Sequence, residues 1–505
     1  MTVRDFSLMD MIKRNAQVFP EREALVDGSI RMTFGDYQKR CGRLCGGFHA
    51  AGARSGDRIA VIAQNSLDYI LLYGAAALGE FIIVPINVRL SPKELQFILQ
   101  DVSPAFIVVS PDFHEMAIQG EKGLSSVKSC YVVGRTPLGD YLPLEGLYAS
   151  DAVGEEDVDA EAPYAIIYTA AVAGRAKGSV LSQANIVSLN TALSQHFKLG
   201  LQDAHACFLP LFHIAGLSVS MAVMQAGGKN VIQERFDPDQ TLDLIEKERI
   251  TIIYSFPPML DQLIEKQEEK VKDLSSLRFV GGLNTPKTIE QFDRIAPDAR
   301  FSVMFGQTEA MGVSICWFDE EPNSVGRPAP LARVRIVDQK DKEVETGTVG
   351  EICVKSPCVF LGYWGLEEDT AWTLRDGWHH TGDIGRMDER GFLFYAGRMP
   401  EKELIKTGGE NVYPAEVEKI LLEHLSVNEV CVIGVPDDRW GEAVKAVCVL
   451  VPGSSLDENE LAAFVASRLA GYKKPRHVVY VDSLPKTKEG VIDREAVKRE
   501  HVPTS

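Results

Sequence analysis

Residues 397–416 read GRMPEKELIKTGGENVYPAE, and this stretch divides the chain. Five charges fall within residues 398–406, after which the run turns on Gly408-Gly409. Pro400 has no backbone N–H, and paired glycines do not extend a regular element, so a turn is expected here. A new apolar pattern starts at Val417 and Ile420. About 400 residues precede the stretch and about 100 follow, and each side reads as independently folded material. The expectation is a large body, residues 1–399, and a small cap, residues 400–505, with chemistry in the cleft between them.

The rest of the composition agrees. A chain of 505 residues exceeds what one hydrophobic core supports. With 45% hydrophobic and 25% charged residues it belongs among ordinary globular proteins. A formal net charge of -18 argues against nucleic acid or an anionic membrane as a partner, while leaving room for small anions held by local Lys and backbone N–H groups. Nine cysteines are scattered without a CxxC pair, which suits a reducing cytoplasm. The first twenty residues carry charges throughout and lack the apolar centre of a signal peptide. The most membrane-like run, Tyr69 to Val84, is broken by Gly79 and Glu80 and reads as a buried helix followed by a strand.

Within the body, apolar strands alternate with helices: Ile59–Ala63, Phe81–Val84 and Phe106–Val109 early, then Ala206–Leu209, Asn230–Ile232, Ile252–Ser255 and Leu277–Val280. Continuously apolar strands between helices predict parallel sheet covered on both faces. Residues 326–394 turn β-rich. After the hinge, strands at Glu429–Gly434, Val444–Val451 and His477–Val481 with helices at Ala415–Glu423 and Glu458–Leu469 predict an α+β cap. The fold class is therefore α/β: layered sheets with helices, a β-rich subdomain, and a small α+β cap.

Three segments carry candidate chemistry. Tyr164–Gly178, YAIIYTAAVAGRAKG, is a strand entering a small-residue loop with Gly174 and Lys177, a form that can wrap phosphates, although an ordinary tight βα turn fits it equally well. Phe301–Gly312, FSVMFGQTEAMG, sets Thr308 beside Glu309, a hydroxyl and a carboxylate that suit Mg²⁺, although taken alone the segment fits a plain surface turn better. Gly377–Asp383, GWHHTGD, places Asp383 on a turn before a strand, where a carboxylate can accept both ribose hydroxyls. His379 and His380 suggest a metal, but no acidic or Cys partner stands at ligand spacing, and a metal is not expected.

Taken in order, YTAAVAGRAKG, GGLN at 281–284, FGQTE, TGD, the 397–416 stretch and LPKTKEGVIDR resemble the signatures of AMP-forming acyl-CoA synthetases, members of the adenylate-forming superfamily. The resemblance runs from Thr33 to Arg494. It implies an enzyme joining a small carboxylic acid to coenzyme A with ATP and Mg²⁺, and it leaves room for a homodimer. It places Thr169, Gly174 and Lys177 along the phosphates. Gly281, Gly282 and Leu283 would frame adenine and acyl carboxylate together with Phe305, Gly306 and Gln307. Thr308 would contact phosphate, Glu309 the metal, and Asp383 with Arg398 the ribose. It makes His213 the gate between acyl pocket and CoA tunnel, and sets Lys406, Gly408 and Gly409 along the pantetheine path. Small residues at Gly216, Ala310 and Gly312 favour a medium-chain or aromatic acid over acetate.

The chain also departs from that pattern. Ala170-Ala171-Val172-Ala173-Gly174 replaces a hydroxyl-rich phosphate loop, and Val491 follows Gly490 where the family carries a Lys. The segment after Arg398 is two residues longer than usual, which makes Glu403 the hinge acid. The first two changes weaken adenylation and leave these readings open: a ligase with an impaired first step, or a silent or repurposed homologue that binds nucleotide or CoA thioesters.

Overall fold

The computed structural model describes residues 5–153, 157–172, 175–399, 403–437, 439–486 and 492–502, with backbone alone at 170–172 and 175. Two large sheets form the body. One runs, in spatial order, Arg327–Pro328, Ala310–Trp317, Arg300–Gln307, Phe279–Gly282, Ile252–Ser255, Ala204–Cys207, Lys229–Ile232, Glu23–Asp27 and Ile30–Thr33. Its middle is parallel from Glu23–Asp27 through to Arg300–Gln307. The other runs Gly362–Tyr363, Arg175–Ser182, Pro163–Val172, Ile82–Pro85, Arg58–Ile62, Phe106–Val109, Ser129–Val132 and Leu142–Pro143. Its short apolar strands pair in parallel, buried on both faces as their unbroken Val/Ile runs require.

Helices lie between and over these sheets. Leu67–Gly79, capped by the Ser66 side chain, is buried at every residue but Asp68 and ends where Glu80 takes a left-handed conformation, followed by the strand Ile82–Pro85. The membrane-like run is thus core. No helix among the described residues is long and apolar enough to cross a membrane. All nine cysteines are free thiols, and Cys130 alone is not buried.

A third sheet, Arg333–Val337, Gly350–Lys355, His379–Met387 and Leu393–Arg398, is the β-rich subdomain. The cap sheet draws all its strands from residues 405–480. Its hairpin Ile405–Thr407/Glu410–Val412, turning on Gly408-Gly409, was not recognised as strand in the sequence, nor was the closing helix Arg494–His501. The body–cap boundary expected at 399/400 falls beside residues 400–402, which lie outside the described residues.

Two expectations change. Pro163–Val172 does not turn directly into a helix. It pairs antiparallel with Arg175–Ser182, and the helix Gln183–Phe197 starts only after that strand, capped by Ser182 and Asn185. The GWHHTGD segment is likewise not a turn before a strand, because His379 to Asp383 already belong to the strand His379–Met387.

Candidate active site

The ends of several strands converge under the cap. Asp383 and Arg398 face each other across paired strands. Asp383 is fully buried, and its Oδ1 lies 2.6 Å from Arg398 Nε. Gln307 Nε2 donates to Asp383 Oδ2 at 2.5 Å and to the Thr381 carbonyl at 2.9 Å. Burial opposes the Arg398 charge, but the Asp383 carboxylate outweighs it and holds the guanidinium pKa above its usual value. The pair is thus a fixed ionic anchor in a dry place, with Phe305 beside it against Tyr395 at 5.9 Å between ring centres.

The strand order brings Thr308 and Glu309 to the tight turn after Gln307. Glu309 Oε1 accepts from the Tyr363 hydroxyl at 3.1 Å. The Glu309 carboxylate is an oxygen ligand of the kind Mg²⁺ accepts, and the Tyr363 hydroxyl fixes its orientation. Gly306 has its Cβ direction blocked by the Ala310 carbonyl and the Gly312 amide, both at 3.0 Å. Gly282 is held at φ +129, and a Cβ there would lie 2.0 Å from the Ser255 carbonyl, so the backbone of the GGLN turn packs as closely as only glycine permits. Gly281 lies beneath the Tyr254 ring, and Leu283 is 42% exposed.

Thr169 and Lys177 are register partners in the hairpin that carries the phosphate-loop segment. Gly174 lies outside the described residues. Lys177 is not waiting free. Its Nζ is 2.6 Å from Asp369 Oδ1 and 5.1 Å from the Tyr363 ring centre. Asp369, on the short helix Glu367–Thr373, was not singled out in the sequence. It is acidic in an acidic helical turn, and nothing local points it at residue 177.

From the cap side, the Ile405–Val412 hairpin leans over this floor. Lys406 Nζ sits 5.8 Å from the Tyr395 ring centre, and burial followed by the nearby Arg398 charge lowers its pKa. Gly408 has φ +58 beneath Trp440, whose ring leaves no room for a Cβ (2.6 Å), and Gly409 has φ +81 with open space around it. Arg398 Nη1 donates to the Tyr413 hydroxyl at 3.4 Å. Glu410, 5% exposed at its side chain, takes Arg89 Nη1 at 2.7 Å and Asn87 Nδ2 at 3.1 Å, with His213 Nε2 at 3.5 Å. Burial would raise its pKa, yet His213 and Arg89 hold it below the ordinary 4.5. Glu410 stood inside the decisive stretch without being picked out, because its partners lie 321 and 323 residues away along the chain.

The metal question at His380 also changes. Glu351 and Cys353, on the neighbouring strand, bring an acid and a thiol to it: Glu351 Oε2 is 2.8 Å and Cys353 Sγ 3.3 Å from His380 Nδ1. The partners absent from the local sequence are therefore supplied across the sheet. Arg375 already brings positive charge here, paired twice with Asp341 and 3.4 Å from Glu351. Glu351 also accepts the Gly382 N–H at 2.9 Å, which ties this cluster to the backbone before Asp383. Glu403 pairs inside the cap with Lys498 at 2.6 Å and Arg494 at 3.3 Å. Val491 lies outside the described residues.

Both parts of the chain match known families: the AMP-binding enzymes over residues 12–364, and the AMP-binding enzyme C-terminal domain over residues 416–490. The chain belongs to the AMP-binding enzymes, as its sequence signatures imply. It is 34% identical over 495 residues to a feruloyl-CoA synthase of Amycolatopsis sp, spanning 96% of this chain and 97% of the relative. With an indoleacetate–CoA ligase of Aromatoleum aromaticum it shares 33% over 506 residues, 97% and 98% of the two chains. Among solved structures, an amide bond synthetase from Marinactinospora thermotolerans matches with a TM-score of 0.88 at 26% identity, covering 98% of this chain and 100% of the other. A double mutant of o-succinylbenzoate CoA synthetase from Bacillus subtilis matches at 0.85 and 26%, covering 98% of each.

Proposed function

We propose that this chain joins an aromatic or medium-chain carboxylic acid to coenzyme A, converting ATP to AMP and diphosphate. The observation that carries the reading is the buried Asp383–Arg398 pair at 2.6 Å, set directly beneath a cap hairpin that presents Lys406, Gly408 and Gly409. A fixed carboxylate with a guanidinium beside it suits the paired hydroxyls and the charge of a nucleotide. The glycine hairpin gives a narrow thiol carrier close access to backbone.

In the first step an acid oxygen bonds to the α-phosphorus as the bond to diphosphate breaks. Lys177, Thr169 and Thr308 would meet the phosphate charge, and Mg²⁺ held at Glu309 would supply further positive charge. In the second step the thiol sulfur, losing its proton, bonds to the acyl carbon as AMP leaves. His213, between body and cap, would border the thiol's path, with Glu410 fixing its ring.

A silent nucleotide-binding homologue is the second reading. The Lys177–Asp369 bond favours it, because the cation expected at the phosphates is already neutralised. Supplying 4-hydroxycinnamoyl-AMP with CoA, and separately the free acid with MgATP and CoA, separates the two. The ligase reading expects thioester in both, faster from the adenylate. Thioester from neither, across aromatic and medium-chain acids, leaves the silent module.

A further inference from the structure

The strand His379–Met387 leaves its ladder where it carries Asp383. Its pairing with Gly350–Lys355 sets Cys353 against His380 on one side of the break and Glu351 against Ile384 on the other. Thr381, Gly382 and Asp383 therefore stand opposite Ile352 alone, and Gly382 turns through φ +68. A bulge of this kind re-aims a side chain by giving up ladder hydrogen bonds. All three residues are buried, so their freed N–H groups need other acceptors.

Side chains supply them. Glu351 Oε1 accepts the Gly382 N–H at 2.9 Å. Thr381 Oγ1 accepts the Asp383 N–H at 3.0 Å and donates to the Ile352 carbonyl at 2.7 Å. The other Glu351 oxygen, Oε2, takes His380 Nδ1 at 2.8 Å and lies 3.4 Å from Arg375 Nη2. Burial opposes the Glu351 charge, but His380, the Gly382 N–H and Arg375 outweigh it and hold the pKa below the ordinary 4.5. The carboxylate is thus kept ionised by cations on one oxygen while the other grips the bulge. An ion pair alone would not need that second contact. Arg375, for its part, keeps two bonds to Asp341 at 2.9 and 3.0 Å and does not depend on Glu351.

We infer that Glu351 and Thr381 are positioning residues of the nucleotide site, which hold the bulge so that the Asp383 carboxylate faces the ribose hydroxyls. The inference rests on the reading above that Asp383 accepts those hydroxyls. Neither residue touches the nucleotide in it. Each acts through a backbone N–H, Glu351 at Gly382 and Thr381 at Asp383 itself. An acceptor placed to bond a substrate hydroxyl discriminates only while its own position is fixed by its surroundings.

The test compares AMP with 2′,3′-dideoxyadenosine monophosphate, which lacks both hydroxyls, by calorimetry on the full chain. Wild type should bind AMP about a hundredfold more tightly. Glu351→Met removes the acceptor at similar length, and should reduce that preference by about tenfold while leaving the dideoxy nucleotide's affinity unchanged. Thr381→Val keeps the shape, removes the other support and should act in the same way, which keeps the test open if the Met variant does not fold. Glu351→Gln retains an oxygen for the Gly382 N–H and should retain most of the preference. Residues of purely structural use would weaken both nucleotides together when replaced. That common loss, an undiminished preference in the Met or Val variant, or a Gln variant as poor as the Met variant overturns the inference. A wild type that binds both nucleotides alike, or neither, overturns the ribose reading of Asp383 and the inference with it.

Discussion

The Lys177–Asp369 pair offers a test, at the scale of one residue, of the proposed phosphate site. The ammonium is 19% exposed and the carboxylate 44%, so the pair is screened and worth at most about 1 kcal/mol. A triphosphate would have to displace that carboxylate before reaching the Lys. Asp369→Asn should therefore lower the KM for ATP by roughly two- to fivefold, read by ATP–diphosphate exchange, with the acyl-AMP-to-thioester step unchanged. An unaltered KM would mean that Lys177 does not meet the phosphates. Val491→Lys addresses the same step from the cap and should raise exchange by about tenfold, because a preorganised charge at developing phosphate oxygens acts directly on rate. Asp383→Ala should abolish AMP binding in calorimetry, since the ribose loses its acceptor while Arg398 stays buried without its counter-charge. Unchanged AMP affinity would place the nucleotide elsewhere.

At the scale of elements, the contact that seats the cap joins the helix Pro92–Val102 to the cap segment 468–473. Lys473, 4% exposed at its side chain, lies 2.5 Å from Glu94 and 2.9 Å from Glu416. Glu94 also accepts the Ala470 N–H at 2.9 Å, and the Ser91 hydroxyl donates to the Arg468 carbonyl at 3.2 Å. Removing the one cation would leave two carboxylates facing each other in a dry place, so Lys473→Met should cost about 3 kcal/mol of stability. Urea unfolding measures that loss, and Glu94→Gln together with Glu416→Gln should recover much of it. Burial opposes the Lys473 charge, but its two carboxylates outweigh that and raise its pKa above 10.5. Its contribution is accordingly complete below pH 10.5 and lost only as pH rises through the folded value.

This seam also marks where the sequence stopped being legible. Strand Phe106–Val109 and strand Ile252–Ser255 were read residue for residue, because an unbroken apolar run between helices has one interpretation. Asp383 and Arg398 were singled out together from short local signatures, and the structure pairs them. Which of two sheets a strand joins, and which charge meets Lys177, Glu410 or Lys473, depends on pairing across hundreds of residues. Periodicity within a window carries no record of that.

For the molecule as a whole, the described residues join body and cap through several polar contacts, with Lys473 and Glu410 the most enclosed side chains among them. The depressed pKa of Glu410 means that the folded state prefers the carboxylate. The stability this gives the seam is complete above pH 4.5, the ordinary value, and is lost as pH falls below that through the folded value. Glu416 complicates a simple acid titration, since burial raises its pKa and its protonation acts in the opposite sense. Comparing wild type with Glu410→Gln removes that complication, because Glu416 is common to both. We expect body and cap to separate by limited proteolysis between Arg398 and Glu403, where Pro400 and the run of charges divide one set of sheets from the next. At pH 7 the Gln variant should be cut there faster than wild type, while cleavage within the body is unchanged. As pH falls below 4.5 the wild-type rate should rise to meet the variant's, since protonated Glu410 then resembles glutamine. Equal rates at pH 7 would show that Glu410 does not hold the cap, and first cleavage inside residues 1–397 would overturn the division of the chain at this stretch.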